Sequence, residues 1–225
     1  MLSQILSSGF RRVCLIATIA LLLPVVGLAQ DGVNSARRVS QHSPEGMLEL
    51  ALYYYNNDDS SGKAEQLFKR LLTTTDTQSA QYEAGQYYLA AYYQRKFYLK
   101  QTKVERDWNV LKQAASEYRK YTDQFYKEGK RAWLSDAFFN LAIVNLQLNE
   151  PAKALEELSK MKDAASIDSE VYIYQVVWSP ESQSVVDATL PATRLADYTM
   201  SVVQSKDYYF EKALMQIQKW CQGQR

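Results

Sequence analysis

The sequence contains little histidine, cysteine, glycine or proline. Among 225 residues there are one histidine, two cysteines, eight glycines and five prolines. The single His42 excludes histidine-based catalytic triads and ordinary zinc sites. The glycines are scattered singly, so the sequence has no glycine-rich loop of the kind that binds phosphate. We therefore expect no catalytic residue, no metal and no cofactor.

The first 29 residues have the features of an export signal. Arg11 and Arg12 provide positive charge, residues 13–23 an apolar run, and residues 27–29 (GLA) a cleavage site of small residues. The apolar run is short for a membrane span, which needs about 20 residues. We expect cleavage and export to the periplasm or cell envelope, with an uncleaved anchor as the alternative.

Removal of residues 1–29 changes the charge and the cysteine count of the chain. Residues 30–225 carry 24 basic and 25 acidic side chains, so their net charge is −1. Cys221 becomes the only cysteine, and no intramolecular disulfide can form. The fold must then be held together by its apolar core. Residues 30–43 lack an apolar period and are expected to be a flexible lead-in to a helical domain over residues 44–225.

The clearest structural pattern lies between Ser135 and Met161. Apolar residues recur there at steps of three or four in two runs, separated by residues 149–151 (NEP). The recurring positions are Phe138, Leu141, Ala142 and Leu146 in the first run and Ala154, Leu155, Leu158 and Met161 in the second. Proline is accepted in the first turn of a helix, so the pattern predicts two helices joined by a tight turn.

Three further segments repeat this pattern. The first begins at Pro44 and has a polar turn over residues 56–62, which fails as a calcium loop because Leu67 occupies the place of the closing glutamate. The second, residues 79–131, has about a dozen additional residues without glycine or proline, so we expect a long, protruding helical hairpin. The last lies between Leu195 and Trp220. The segment 171–178 (VYIYQVVW) is also interpreted as helix.

This spacing resembles the tetratricopeptide repeat family. The residues that carry the resemblance are Phe138, Leu141, Ala142, Ala154 and Leu158, whereas Asn145 and Met161 depart from the family pattern. The run 118–142 (YRKYTDQFYKEGKRAWLSDAFFNLA) is similar to exported helical-repeat proteins of the Gram-negative cell envelope. The resemblance implies an all-α fold of stacked antiparallel helical hairpins, a TPR-like α-solenoid with one elongated central hairpin.

The resemblance also implies a function and a set of partner-binding residues. Proteins of this kind act as scaffolds that hold a peptide or protein partner in a groove lined by the first helix of each unit. The corresponding positions here are Leu48, Glu49, Leu52 and Asn56 in the first unit, Tyr87, Tyr88, Ala91 and Arg95 in the second, and Phe139, Asn140, Ile143 and Gln147 in the third. Their mixed polar and apolar character suits a peptide groove.

Residues 94–131 form a basic segment of the chain. They contain eleven basic and five acidic side chains, so this segment is a candidate for contact with an acidic partner or, peripherally, with an anionic membrane. The alternative is a solvated helical hairpin. Export and the near-neutral total charge argue against nucleic acid. Six tyrosines between Tyr82 and Tyr98 cover so much of one helix that some rings should reach solvent or a partner.

Two other classes of function are open from the sequence. One is a small all-α envelope enzyme that uses paired carboxylates, although the adjacent pairs Asp58-Asp59 and Glu156-Glu157 point their side chains apart on a helix. The other is a purely structural component of a larger assembly. Binding of a short extended peptide would distinguish the scaffold from the structural component, whereas turnover that is lost on changing a single acidic residue would favour the enzyme.

Overall fold

The computed structural model describes residues 43–57, 61–99, 106–126, 133–166 and 191–223. These residues form eight helices. They are α1 (Pro44–Asn56), α2 (Lys63–Thr74), α3 (Ala80–Tyr98), α4 (Trp108–Phe125), α5 (Leu134–Gln147), α6 (Pro151–Ser166), α7 (Ala192–Val203) and α8 (Phe210–Gly223). The expected signal at residues 1–29, the lead-in up to residue 42 and the segment 171–178 lie outside the described residues.

Consecutive helices pack against one another from α1 to α8, and α1 also packs against α3. The all-α prediction is therefore confirmed, and the neighbouring hairpins are arranged as in helical-repeat proteins. Residues 40–225 belong to one compact unit. None of the helices in the described ranges is both long and apolar enough to cross a membrane.

The core includes the positions that the helical period selects in the four hairpins. Those at or near zero exposure are Ala51, Ala64, Phe68, Leu71, Leu89, Ala90, Ala114, Tyr118, Tyr121, Leu141, Ala142, Ala154, Leu158, Met161, Leu195 and Ile217. Burial of a large apolar side chain contributes about 1.5–3 kcal/mol. Cys221 of α8 is also buried.

The turn between α5 and α6 has the geometry that the sequence suggests. Asn149 adopts a left-handed conformation with φ 61°. Its N–H donates to the Leu146 carbonyl at 3.0 Å, and the Glu150 N–H donates to the Asn145 carbonyl at 2.8 Å. Together these bonds satisfy the last carbonyls of α5 in a Schellman motif. Pro151 then begins α6, as predicted.

The central pair, α3 and α4, contains the longest helices of the described chain, with 19 and 18 residues. We expected the helices to continue through the residues that connect α3 and α4. This expectation is wrong at both ends of that connection that the structure describes. Helix α3 stops at Tyr98, and Arg106 and Asp107 precede α4 in a non-helical conformation. Asp107 begins α4 as its N-cap, because its carboxylate accepts a hydrogen bond from the Asn109 N–H at 2.9 Å.

Three basic side chains of this segment contact other parts of the fold. Arg106 is buried, with its guanidinium 5.6 Å from the ring centre of Phe97. Lys96 approaches Glu65 of α2 at 3.4 Å, and Arg119 approaches Glu157 of α6 at 3.6 Å, although both basic side chains remain exposed. Only Arg106 is therefore withdrawn from the surface, whereas Lys96 and Arg119 have part of their charge balanced by glutamates on neighbouring helices.

The tyrosines of α3 are more buried than the sequence predicts. Tyr87, Tyr92, Tyr93 and Tyr98 are all buried, while Tyr82 and Tyr88 are only partly exposed. Only two of the six rings therefore reach solvent, and those only in part, because α3 packs against α1, α2 and α4 and so has neighbours on most of its circumference. A tyrosine can be buried in this way when its hydroxyl finds a partner.

Candidate functional site

A small internal cavity lies among helices α1, α3, α4 and α5, and we call it the tyrosine chamber. Its volume is about 10 Å³. That is about what one water molecule requires. It is lined by Tyr55, Tyr87, Tyr88, Ala91, Gln94, Tyr118 and Asn140. Tyr88 keeps the most exposed surface of these residues, which places it at the mouth of the chamber.

Helix α3 supplies four of the seven lining residues. Tyr87, Ala91 and Gln94 follow one another at steps of four and three and therefore share a face. Ser79 begins the helix by accepting a hydrogen bond from the Tyr82 N–H at 3.1 Å. Gly85 allows α2 to approach closely, since a Cβ atom there would lie 2.9 Å from Leu71 Cδ2. These features fix where α3 lies in the fold.

The chamber wall is a network of aromatic rings centred on Tyr87. The ring of Tyr87 stacks on Trp133 at 5.8 Å and meets Tyr88 and Tyr118 edge to face at 5.2 and 6.1 Å. Tyr55 meets Tyr88 edge to face at 5.7 Å. Such pairs contribute about 0.5–1.5 kcal/mol each beyond the area they bury. The wall is therefore a well-packed surface with hydroxyl groups along it.

Two buried side-chain amides at the chamber each have one atom without a hydrogen-bond partner among the described residues. Gln94 accepts a hydrogen bond from the Tyr118 hydroxyl at 2.8 Å, but its Nε2 has no hydrogen-bond partner among the described residues. Asn140 donates from Nδ2 to the Asp136 carbonyl at 2.9 Å, but its Oδ1 likewise lacks a partner there. Each side chain is 2% exposed. The chamber thus presents one spare donor and one spare acceptor, a combination that is uncommon in a buried site.

The tyrosine hydroxyls of the chamber are protonated at physiological pH. Burial, together with the nearby charge of Asp136, raises the pKa of Tyr87 and of Tyr118 well above the ordinary value of 10.0. Burial also raises the pKa of Tyr88. These groups can therefore donate and accept hydrogen bonds, but they do not supply a phenolate base. The chemistry of the chamber suits recognition of a polar group.

Hydrogen bonds near the chamber connect α3 with α1 and with α5. Arg95 of α3 donates to the Tyr55 carbonyl of α1 at 2.5 Å, and its guanidinium lies 5.0 Å from the Tyr55 ring centre. The Tyr98 hydroxyl of α3 donates to Gln147 Oε1 of α5 at 3.1 Å. Arg95 and Gln147 are half-buried and contribute to the packing of the units.

The structure brings together only part of the predicted partner-binding set. Tyr87, Tyr88, Ala91 and Asn140 all line the chamber. Leu48, Glu49, Leu52 and Asn56 lie along α1 instead, with Glu49 and Asn56 exposed and the two leucines half-buried. They form a separate surface strip that we call the α1 strip.

The expected open groove at α5 is not present, because that helix is buried on all its faces from Leu134 to Leu146. Phe139 and Ile143 have no exposed surface and belong to the core in this structure. Asn140, which was expected to face the groove, is buried for the same reason. A helix that is apolar around its whole circumference is expected to be buried, and the sequence LSDAFFNLAIVNLQ carries that signal.

Three lining residues fall outside the predicted set. These residues are Tyr55, Gln94 and Tyr118. Gln94 carried a usable signal, since it is a polar residue seven positions after Tyr87 on the same face of an aromatic helix. No group of three or more His, Cys, Asp or Glu side chains within the described ranges could hold a metal ion.

Comparison of the chain with protein-family models, with curated proteins and with solved structures finds no match in any of the three.

Proposed function

We propose that the protein is an exported scaffold that binds a peptide or protein partner in the cell envelope, with one polar group of the partner entering the tyrosine chamber. The observation that carries this proposal is the pair of unsatisfied buried atoms, Gln94 Nε2 and Asn140 Oδ1. Leaving a buried polar group unpaired costs about 1–3 kcal/mol. Natural proteins keep few such groups, and those that they keep require an explanation.

A peptide is the class of ligand that fits this pair best. A serine or threonine hydroxyl both donates and accepts a hydrogen bond, so one such group can pair with Asn140 Oδ1 and Gln94 Nε2 together. The volume of the chamber admits only one small group of this size. In the unbound protein one water molecule suits the same position.

The α1 strip supports the proposal from outside the chamber. Tyr55 belongs to both α1 and the chamber wall, so a peptide lying along α1 could extend to the chamber mouth. The strip combines two half-buried leucines with an exposed carboxylate and an exposed amide. This mixture is typical of surfaces that bind a partly solvated peptide.

The test is selection from a random peptide library on the immobilised protein, followed by calorimetry. We expect at least one family of peptides with a saturable affinity. Asn140→Ala should weaken binding by about 0.5–1.5 kcal/mol, or more if the buried donor of the peptide loses its acceptor. Glu156→Ala on the exposed face of α6 is the matched control and should bind like the parent protein. Failure to select any peptide, or equal binding by both variants, would contradict the chamber as the binding site.

Export is tested separately from binding. If residues 1–29 are a signal, mass spectrometry of the protein recovered from the envelope should give Gln30 as its first residue. Recovery of the exported protein with Met1 intact would contradict cleavage while leaving the peptide-binding proposal unaffected.

A further inference from the structure

A second and larger cavity lies between α7 and α8, and we call it the C-terminal cleft. Its volume is about 400 Å³, within the range of sites that hold small-molecule ligands. The floor is made by Val202 of α7 and Ala213 of α8, and polar and aromatic side chains surround it. No residue of the C-terminal cleft belongs to the tyrosine chamber.

The walls of the C-terminal cleft are held in place by contacts within the hairpin. The rings of Tyr198 and Trp220 stack with centres 4.6 Å apart and so join α7 to α8. At the turn, the Ser205 N–H donates to the Val202 carbonyl and the Tyr208 N–H donates to the Ser205 carbonyl, both at 3.2 Å. The cleft is therefore a formed feature of the last hairpin.

Tyr208 gives the C-terminal cleft an unsatisfied buried hydroxyl. Its oxygen is shielded from solvent and has no hydrogen-bond partner in the described part of the chain. Burial, with a contribution from the charge of Glu211, raises the pKa of this phenol, so it is a neutral donor at physiological pH. Because solvent does not reach this oxygen, a ligand in the cleft can accept its hydrogen bond only after the Tyr208 side chain rotates toward the cleft, and that bond would then remove the cost of the unpaired group.

The remaining polar groups favour an uncharged ligand with several hydroxyls. Asp207 and Lys212 contribute one charge of each sign, so the lining carries no net charge to attract an ion. Ser205 and Gln216 add side chains that both donate and accept hydrogen bonds. A ligand with many hydroxyl groups can use donors and acceptors together.

Tyr209 adds an aromatic surface at the edge of the C-terminal cleft. Its side chain is 63% exposed, although a large ring gains free energy when an apolar surface covers it. A pyranose ring has an apolar C–H face and a rim of hydroxyl groups, and these complement an exposed ring beside a polar cleft. We propose that the C-terminal cleft binds a sugar unit of a neutral glycan, independently of the peptide bound at the tyrosine chamber.

The binding experiment uses the full chain from Gln30 onward, labelled with ¹⁵N, and three neutral probes, which are maltotriose, cellotriose and chitotriose. We expect saturable binding of at least one probe, with shifted amide resonances at Tyr208, Tyr209 and Lys212. Resonances at Gln94 and Asn140 should not move. The proposal is overturned if none of the probes binds saturably, if the shifts fall outside the last hairpin (residues 192–223), or if glucose 6-phosphate binds more tightly than all three neutral probes.

Variants distinguish a ligand site from a structural role. Tyr208→Phe removes a hydroxyl that has no partner in the free protein, so thermal stability should be unchanged or slightly raised. Affinity for the bound trisaccharide should nevertheless fall about two- to tenfold, which corresponds to one neutral hydrogen bond. An unchanged affinity would overturn the assignment of this hydroxyl to the ligand.

Tyr209→Ala and Met215→Ala form a matched pair. Both parent side chains are 63% exposed and lie beside or on α8, but only Tyr209 lines the C-terminal cleft. Tyr209→Ala should weaken binding of the trisaccharide at least as much as Tyr208→Phe, whereas Met215→Ala should not change it. Equal effects of the two substitutions would mean that the sugar contacts exposed apolar surface in general, and the proposal would be wrong.

Discussion

The hydroxyl of Tyr121 donates a hydrogen bond of 2.7 Å to Oε1 of Glu83, and both side chains are buried between α3 and α4. The two residues are 38 positions apart in the sequence, so the bond exists only when the central hairpin has formed. Burial and the neighbouring Glu83 raise the pKa of Tyr121, which keeps its proton available for the bond.

Tyr121→Phe should therefore destabilise the protein. It removes a hydrogen bond to an acidic group inside the fold, and bonds to charged groups contribute about 1.5–3 kcal/mol. Urea unfolding measures the change. Tyr53→Phe is the control, because the Tyr53 side chain is 53% exposed and its hydroxyl can bond to water in either state. Equal destabilisation of both variants would show that the buried hydrogen bond contributes no more to stability than an exposed tyrosine hydroxyl does.

The bond between Gln94 and Tyr118 should behave as a coupled pair. Gln94→Met leaves the buried Tyr118 hydroxyl unpaired, and Tyr118→Phe leaves Gln94 Oε1 unpaired, so each change should cost about 1–3 kcal/mol. The double variant removes both polar groups and should cost clearly less than the sum. Chemical denaturation of the three variants gives the coupling energy. Strict additivity would mean that the two groups do not depend on each other.

Two adjacent glutamates on α6 should respond oppositely to pH. Burial raises the pKa of Glu157 above 4.5, whereas the hydrogen bond from Lys160 lowers that of Glu156. A raised carboxyl pKa means that the native state binds more protons than the unfolded chain between pH 4.5 and the folded pKa. The contribution of Glu157 to the free energy of unfolding therefore falls as pH rises through that window.

The free energy of unfolding of Glu157→Gln, relative to that of the parent protein, should consequently be higher at pH 7 than at pH 4. Glu156→Gln should show the reverse trend, because a lowered pKa contributes stability that is present above pH 4.5 and lost as the pH falls through the folded pKa. Thermal unfolding of both variants at the two pH values is the measurement. The same pH trend in both variants would contradict the difference in burial between the two carboxylates.

Leu141→Asp should destabilise the fold by about 3–5 kcal/mol, since Leu141 has no exposed surface and the new carboxylate would be buried without a partner. Leu99→Asp places the same change on a side chain that is 44% exposed, and it should alter stability by no more than about 0.5 kcal/mol. Circular dichroism during heating compares the two. Equal melting temperatures would place Leu141 outside the core.

The sequence predicts this fold well where a helix has one apolar face. In α2, α4 and α6 the residues at steps of three and four, such as Phe68, Ala114 and Leu158, are the ones without exposed surface. The period separates core from solvent there because polar residues occupy the rest of the circumference. The turn before α6 was equally readable, since Pro151 is accepted in the first turn of a helix.

Prediction fails in α3 and α5 because these helices have neighbours on most sides. An apolar period cannot separate a groove face from a core face when both carry large side chains, which is why Phe139 and Ile143 were placed on a partner surface. The buried tyrosine hydroxyls donate to residues that are distant in the sequence, as Tyr98 does to Gln147, 49 positions away. The spare atoms of Gln94 and Asn140 are likewise a result of three-dimensional packing that no local pattern records.

The burial of Cys221 provides a kinetic probe of the last hairpin. From Gln30 onward this is the only thiol in the chain, and it is 2% exposed on α8. A thiol reagent can reach it only when the helix detaches from its neighbours, so the labelling rate measures the free energy of that local opening. Comparing this rate with global unfolding, with and without a trisaccharide, would show whether the terminal hairpin opens before the rest of the protein and whether a sugar slows it.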